Sequence, residues 1–243
     1  MKPTPTSQPD LAPLLVFGAH PDDIEFGCGG VVAKEAQTGR AVHLVVCSRG
    51  EAGSRGTPEE RMAESKTSAA VLGATIEFVH LDGDAHLEIR AAHAIGLAGL
   101  IRRVKPAVVL APSLVQNQHP DHWRLGTLVR DAARLARYGG LAELREFAPH
   151  AINLLLFYAV TPDAEPSDLS PVLVDVSSVV PKWTAAMEAH VTQVTSRSYV
   201  ELQLSRARSR GLQAGVEYAM ALFPNDPPLI DSLRQLGSGA RSF

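Results

Sequence analysis

The sequence predicts an α/β protein built on a mostly parallel sheet, and three observations carry that prediction. Short apolar runs rich in β-branched residues recur at Leu14-Leu-Val-Phe17, Ala41-Val-His-Leu-Val-Val-Cys47, Ala74-Thr-Ile-Glu-Phe-Val-His80 and Ala107-Val-Val-Leu-Ala-Pro112. A helical stretch follows each one, and alternating strands and helices imply parallel strands joined by right-handed crossovers. The chain is also long enough, since 243 residues of which 45% are hydrophobic can build one large domain with a substantial core.

Taken in order, residues 1–12 read as a flexible, Pro- and polar-rich leader to a single domain over 13–243, and Met1 to Asp10 lack the apolar core of a signal peptide. The first strand runs into Ala19-His-Pro-Asp-Asp-Ile-Glu-Phe-Gly-Cys-Gly-Gly30, whose glycines suggest a tight turn. A short helix over 31–38 follows and is closed by Gly39. After the second strand comes a polar, glycine-rich loop over 48–56 with Arg49, Glu51 and Arg55. Thr57-Pro-Glu-Glu60 then supplies an N-cap, a proline at the first helical position and a capping-box carboxylate, and Gly73 ends that helix.

The third strand leads to the turn Leu81-Asp-Gly-Asp84 and to a helix through Ile95, Leu97, Leu100, Ile101 and Val104, ended before Pro106. The fourth delivers Gln116-Asn-Gln-His-Pro-Asp-His122, with a helix predicted from about 123 to 138. Two further strands are expected at Ile152–Tyr158 and Pro171–Val176, then helices near 181–195 and 198–218, and a proline-rich tail.

Composition removes several function classes. The formal net charge of −3 offers no basic field to nucleic acid or to an anionic membrane. No apolar run approaches the roughly 20 residues of a membrane helix. Cys28 and Cys47 are too few for a disulfide framework, which favours a reducing, cytoplasmic setting.

Chemistry concentrates at two strand ends. His20 and Asp23, three apart on a turn, can point at one ion, and a third ligand can come from His119 or His122. Catalytic zinc commonly takes three His or carboxylate ligands and keeps one position open. The bland alternative is that His20 and Asp23 cap the first helix. Gly27-Cys-Gly-Gly30 also invites a dinucleotide-binding reading, but its spacing is not that of Gly-x-Gly-x-x-Gly and the His-Pro-Asp-Asp insert stands where the loop should turn. Cys28 is expected to be a packed thiol. A metal- or sugar-binding protein without catalysis would need neither Asp22 nor His119.

Ala19-His-Pro-Asp-Asp23 with His119-Pro-Asp-His122 resembles the paired hallmark of the PIG-L/LmbE-like zinc deacetylases. Gly50-Glu51, Arg55-Gly-Thr57 and Gly215-Val-Glu-Tyr-Ala219 look most like the bacillithiol-pathway N-acetylglucosaminyl-malate deacetylases. The resemblance implies a Rossmann-like three-layer sandwich with a C-terminal strand/helix extension. It further implies Zn2+ as cofactor, hydrolysis of the acetamide of a small amino-sugar conjugate, and a homo-oligomer, a hexamer in many relatives.

Carried onto this chain, the resemblance makes His20, Asp23 and His122 the zinc ligands and Asp22 the general base. His119 becomes a second catalytic group that, when protonated, helps zinc to stabilise the oxyanion, and Asp121 orients an imidazole or holds the turn. Arg55 suits sugar hydroxyls or a carboxylate aglycone, or is simply a solvated loop arginine. Tyr199, in Tyr199-Val-Glu201, aligns with a tyrosine near the substrate in relatives, or is a buried helical tyrosine. His190 and Gln193 are expected in packing or a subunit contact. Gln118 stands where bacillithiol-type relatives often carry arginine, which leaves an acidic aglycone without that charge.

Overall fold

Alternation within the first strand already assigns residues to two layers. Leu14 and Val16 join one buried apolar cluster, whereas Leu15 and Phe17 join another on the opposite face of the sheet. The computed structural model describes residues 11–116, 119–195, 198–230 and 232. Most of the leader segment (residues 1–10) and Gln118 therefore lie outside the described residues.

Seven strands form one sheet in the order β3-β2-β1-β4-β5-β7-β6. The strands are β1 (Leu14–Gly18), β2 (Val42–Val46), β3 (Thr75–Phe78), β4 (Val108–Pro112), β5 (Leu154–Tyr158), β6 (Val172–Asp175) and β7 (Ala219–Pro224). The first five are parallel, while β7 runs antiparallel to both β5 and β6. One face is covered by α1 (Asp23–Gln37), α2 (Pro58–Leu72), α5 (Val180–Glu188) and α7 (Tyr199–Ala214), the other by α3 (Ala91–Val104) and α4 (Pro120–Leu135). The short α6 (Val191–Val194) links α5 to α7. The predicted three-layer, mostly parallel architecture is the one observed.

Local chemistry explains the element ends. Thr57 accepts from the Glu60 amide at 3.2 Å while Glu60 accepts from the Thr57 amide at 2.8 Å, a complete capping box worth about 1 kcal/mol. Gly73 closes α2 at φ +83, where a side chain would be strained.

Two of the boundaries that differ from expectation are set by packing. First, α1 starts at Asp23 and runs through Gly27-Cys-Gly-Gly30, with a kink at Cys28 in place of a turn before the helix. Close packing explains the glycines: a Cβ on Gly27 would stand 2.3 Å from the Tyr158 ring, and one on Gly29 2.8 Å from Trp183. The Cys28 thiol is fully buried, and burial followed by the charge of Glu25 pushes its pKa up, as suits a packed thiol. Second, the stretch after α7 is a strand. Ala219-Met-Ala-Leu-Phe-Pro224 closes the gap between β5 and β6 because its apolar side chains complete both clusters.

Among the described residues no helix is long and apolar enough to cross a membrane.

Candidate active site

The sheet order places β1 between β2 and β4, so the crossovers leave β1 and β4 in opposite directions. That switch point opens a crevice outside the strands' carboxyl ends, where ligands bind in open α/β sheets. The segment after β1 carries His20, Asp22 and Asp23, and the one after β4 carries His119, Asp121 and His122. Adjacent strands thus bring together residues about a hundred positions apart.

Asp23 is the hinge of the arrangement. Its Oδ2 accepts the backbone N–H groups of Ala19 at 3.0 Å and His20 at 2.9 Å, which aims Oδ1 at Nε2 of His122, 3.0 Å away. His20 Nδ1 lies 3.4 Å from Oδ2. Burial alone would raise the Asp23 pKa, but His122 and then His20 hold it well below the usual carboxylate range. His20, Asp23 and His122 are all buried, and each offers one ligand atom within 4.8 Å of the others. Two imidazoles and a carboxylate at this spacing fit a divalent zinc-type ion. The capping alternative fails, because Asp23 bonds backward to residues 19 and 20, outside the helix.

Asp22 is the N-cap of α1 by position, yet its side chain makes no cap hydrogen bond. Its backbone sits at φ +107, a conformation that costs a non-glycine residue about 1–3 kcal/mol. Arg61, buried in α2, donates to the Pro21 carbonyl at 2.9 Å and the Gly50 carbonyl at 3.1 Å and stands 3.5 Å from Asp22 Oδ2. Burial, then the neighbouring charge of Asp23, pushes Asp22 up to about 6.

His119 caps α4, its Nδ1 accepting the Asp121 amide at 3.4 Å, and Pro120 occupies the first helical position. The His-Pro-Asp-His block is therefore the start of the helix, three residues earlier than predicted. Burial, then the charge on His20, holds His119 below the ordinary histidine range, and because Nδ1 accepts the Asp121 amide a neutral ring carries its hydrogen on Nε2. Asp121 Oδ2 lies 3.2 Å from His20 Nε2 and accepts the Ala85 amide, from the loop after β3, at 2.8 Å.

Tyr199 begins α7, packs on Phe26 with ring centroids 5.7 Å apart, and lines a hollow of about 260 Å3 with Asp22, Val160, Thr161, Gln193 and Gln203. Arg55 stays on the exposed loop, where its carbonyl accepts from Gln193. His190 is fully buried with Nε2 3.3 Å from Glu25 Oε1.

Sequence reasoning missed Asp84, whose Oδ1 lies 3.1 Å from His20 Nε2, and Arg61. Asp84 follows a third strand at the same sheet edge, which was the available signal. Arg61 had none, since a helical arginine one turn after a capping box reads as solvated.

Residues 15–133, which include both His/Asp clusters, match the PIG-L family, described as GlcNAc-PI de-N-acetylase. A 4-oxalmesaconate hydratase of Pseudomonas putida is 27% identical over 240 residues, covering 90% of this chain and 91% of its own. Diacetylchitobiose deacetylase of Thermococcus kodakarensis is 29% identical over 202 residues, covering 76% and 71%. The crystal structure of the conserved protein TT1542 from Thermus thermophilus superposes with a TM-score of 0.80 at 33% identity, covering 90% of this chain and 97% of that one.

Proposed function

Since the chain belongs to the PIG-L family, we propose that it is a zinc-dependent N-deacetylase, a single domain from about residue 13 that hydrolyses the acetamide of an N-acetylglucosamine-type conjugate. The convergence of His20, Asp23 and His122, with Asp22 beside them but tied to none of them, carries this reading. Those three residues would hold the zinc ion, which supplies Lewis acidity, polarising a carbonyl and lowering the pKa of water toward about 7.

The chain's own residues account for the remaining chemistry. Asp22 takes a proton from water as the water oxygen bonds to the acetamide carbon. His119 donates its Nε2–H to the carbonyl oxygen as that oxygen gathers negative charge. The carbon–nitrogen bond then breaks, and Asp22 returns its proton to the leaving nitrogen, giving acetate and a free amine. Tyr199 at the hollow and Arg55 at the loop contact the sugar and its aglycone. Malate is the aglycone in the bacillithiol-type reading, with inositol or a second sugar as the other choices.

The Pseudomonas relative favours one second reading, a hydratase, because it matches nearly the whole chain. The experiment that separates them is an amine-release assay of the zinc-loaded protein on diacetylchitobiose and on malate and inositol conjugates of N-acetylglucosamine. Equimolar acetate and amine, abolished in Asp22→Asn, are expected. No amine from any conjugate, with water added to 4-oxalmesaconate, would assign the chain to the hydratases.

A further inference from the structure

We propose that Asp84 is a positioning residue for His20: with Asp121 it holds the Nε2 edge of the ring and so presents Nδ1 to the metal ion. This rests on the metal-binding reading above.

The two edges of the His20 ring face different groups. On one, Nε2 lies 3.1 Å from Asp84 Oδ1 and 3.2 Å from Asp121 Oδ2. On the other, Nδ1 faces Asp23, which is also in contact with His122. A ring that gives one nitrogen to a metal ion carries a single hydrogen on the other, and ionised carboxylates only accept. Two carboxylates on the Nε2 side therefore draw the hydrogen there and leave the Nδ1 lone pair toward Asp23 and His122.

The backbone is shaped to deliver this contact. Ala85 adopts φ +66, a left-handed conformation that is unfavourable for a residue with a Cβ. The same segment aims the Ala85 amide at Asp121 and carries Asp84 to His20, while Asp84 Oδ2 accepts the Ala52 amide at 3.2 Å. Asp84 is 6% exposed, and among the described residues its ion-pair contacts are with His20 and His119, with the charge of Arg61 acting from further off. A buried carboxylate is costly unless its partner repays it, and here the partner is a ring the site must hold still.

His20, Asp84, His119 and Asp121 also lie close enough together to resemble a second ion site. An ion there would meet the Nε2 hydrogen of His20, so these residues make a supporting layer around the first. A carboxylate on the far nitrogen orients a ligating imidazole and raises its basicity, and losing such a partner costs about 10–100-fold in metal affinity.

The test measures zinc dissociation constants by chelator competition on the full chain, together with the His20 tautomer by long-range 1H–15N correlation in the zinc-loaded protein. Asp84→Ala should weaken zinc binding by about 10–100-fold, and Asp84→Asn, which keeps an acceptor oxygen, by less. The loaded wild type should carry its His20 hydrogen on Nε2. Folded Asp84 variants that bind zinc within about twofold of wild type would overturn the proposal, as would a hydrogen on Nδ1. If Asp84→Ala does not fold, Asp84→Asn decides. A wild type that takes up no zinc sinks the metal-binding reading as well, whereas His122→Ala losing zinc while Asp84→Ala keeps it sinks only this one.

Discussion

Asp23 Oδ1 lies 3.0 Å from His122 Nε2, and this contact joins the halves of the site supplied by β1 and β4. Both groups are buried, and in the reading proposed above both are ligands of the ion. His122→Ala should reduce bound zinc from one equivalent to below about a tenth, because a site with three protein ligands loses one. Metal analysis after dialysis checks this, with circular dichroism showing that the fold persists.

Asp22 and Asp23 are neighbours with separate predicted roles, and one experiment separates them. Asp22→Asn should retain zinc while amine release falls by about 10²–10⁴-fold, the usual worth of a general base. Asp23→Asn should lose the metal first. Zinc content and turnover measured on the same preparations distinguish the two, and near-normal turnover in Asp22→Asn would remove Asp22 as the base.

Arg61 donates to the Pro21 and Gly50 carbonyls from inside the fold. Arg61→Leu would leave both carbonyls without that donor and Asp22 without its nearest cation, so a stability loss of about 2–4 kcal/mol is expected from urea unfolding. Arg61→Lys should recover only part of it, because a lysine cannot span both carbonyls with a planar fork.

Gly27 faces the Tyr158 ring, whose hydroxyl donates to the Phe17 carbonyl at 2.7 Å. Gly27→Ala must move one of them, at a cost of about 1–3 kcal/mol read as a lower melting temperature. Gly140→Ala, where a Cβ meets nothing within 4 Å, is the control and should leave melting unchanged.

Glu77 on the edge strand β3 gives a pH prediction away from the site. Burial raises its pKa, but hydrogen bonds from Arg103 and His43 outweigh that and leave it lowered in the folded protein. A lowered folded pKa means that its stabilisation is present above the unfolded value, about 4.3, and is lost as pH falls through the folded one. Glu77→Gln should cost under about 1 kcal/mol at pH 7, since the pair is partly exposed and screened, and the difference should vanish in acid. A pH series of urea melts checks the sign.

The sequence by itself determined the parallel α/β core and both His/Asp clusters, because those signals are local. An apolar run is legible from its own residues, and His20 with Asp23, or His119 with His122, needs only a spacing of three. The capping box at Thr57 is legible for the same reason. Tertiary structure alone decided what depends on distant partners. Gly27 to Gly30 read as a turn until Tyr158 and Trp183 were seen to occupy the space where side chains would stand. β7 read as tail until its place between β5 and β6 was known. Asp84 and Arg61 carry no motif, and each matters through contacts made across the fold, Asp84 with His20 and Ala52, Arg61 with Pro21, Gly50 and Asp22. The lowered pKa of His119 is of the same kind, since burial and the charge on His20 set it.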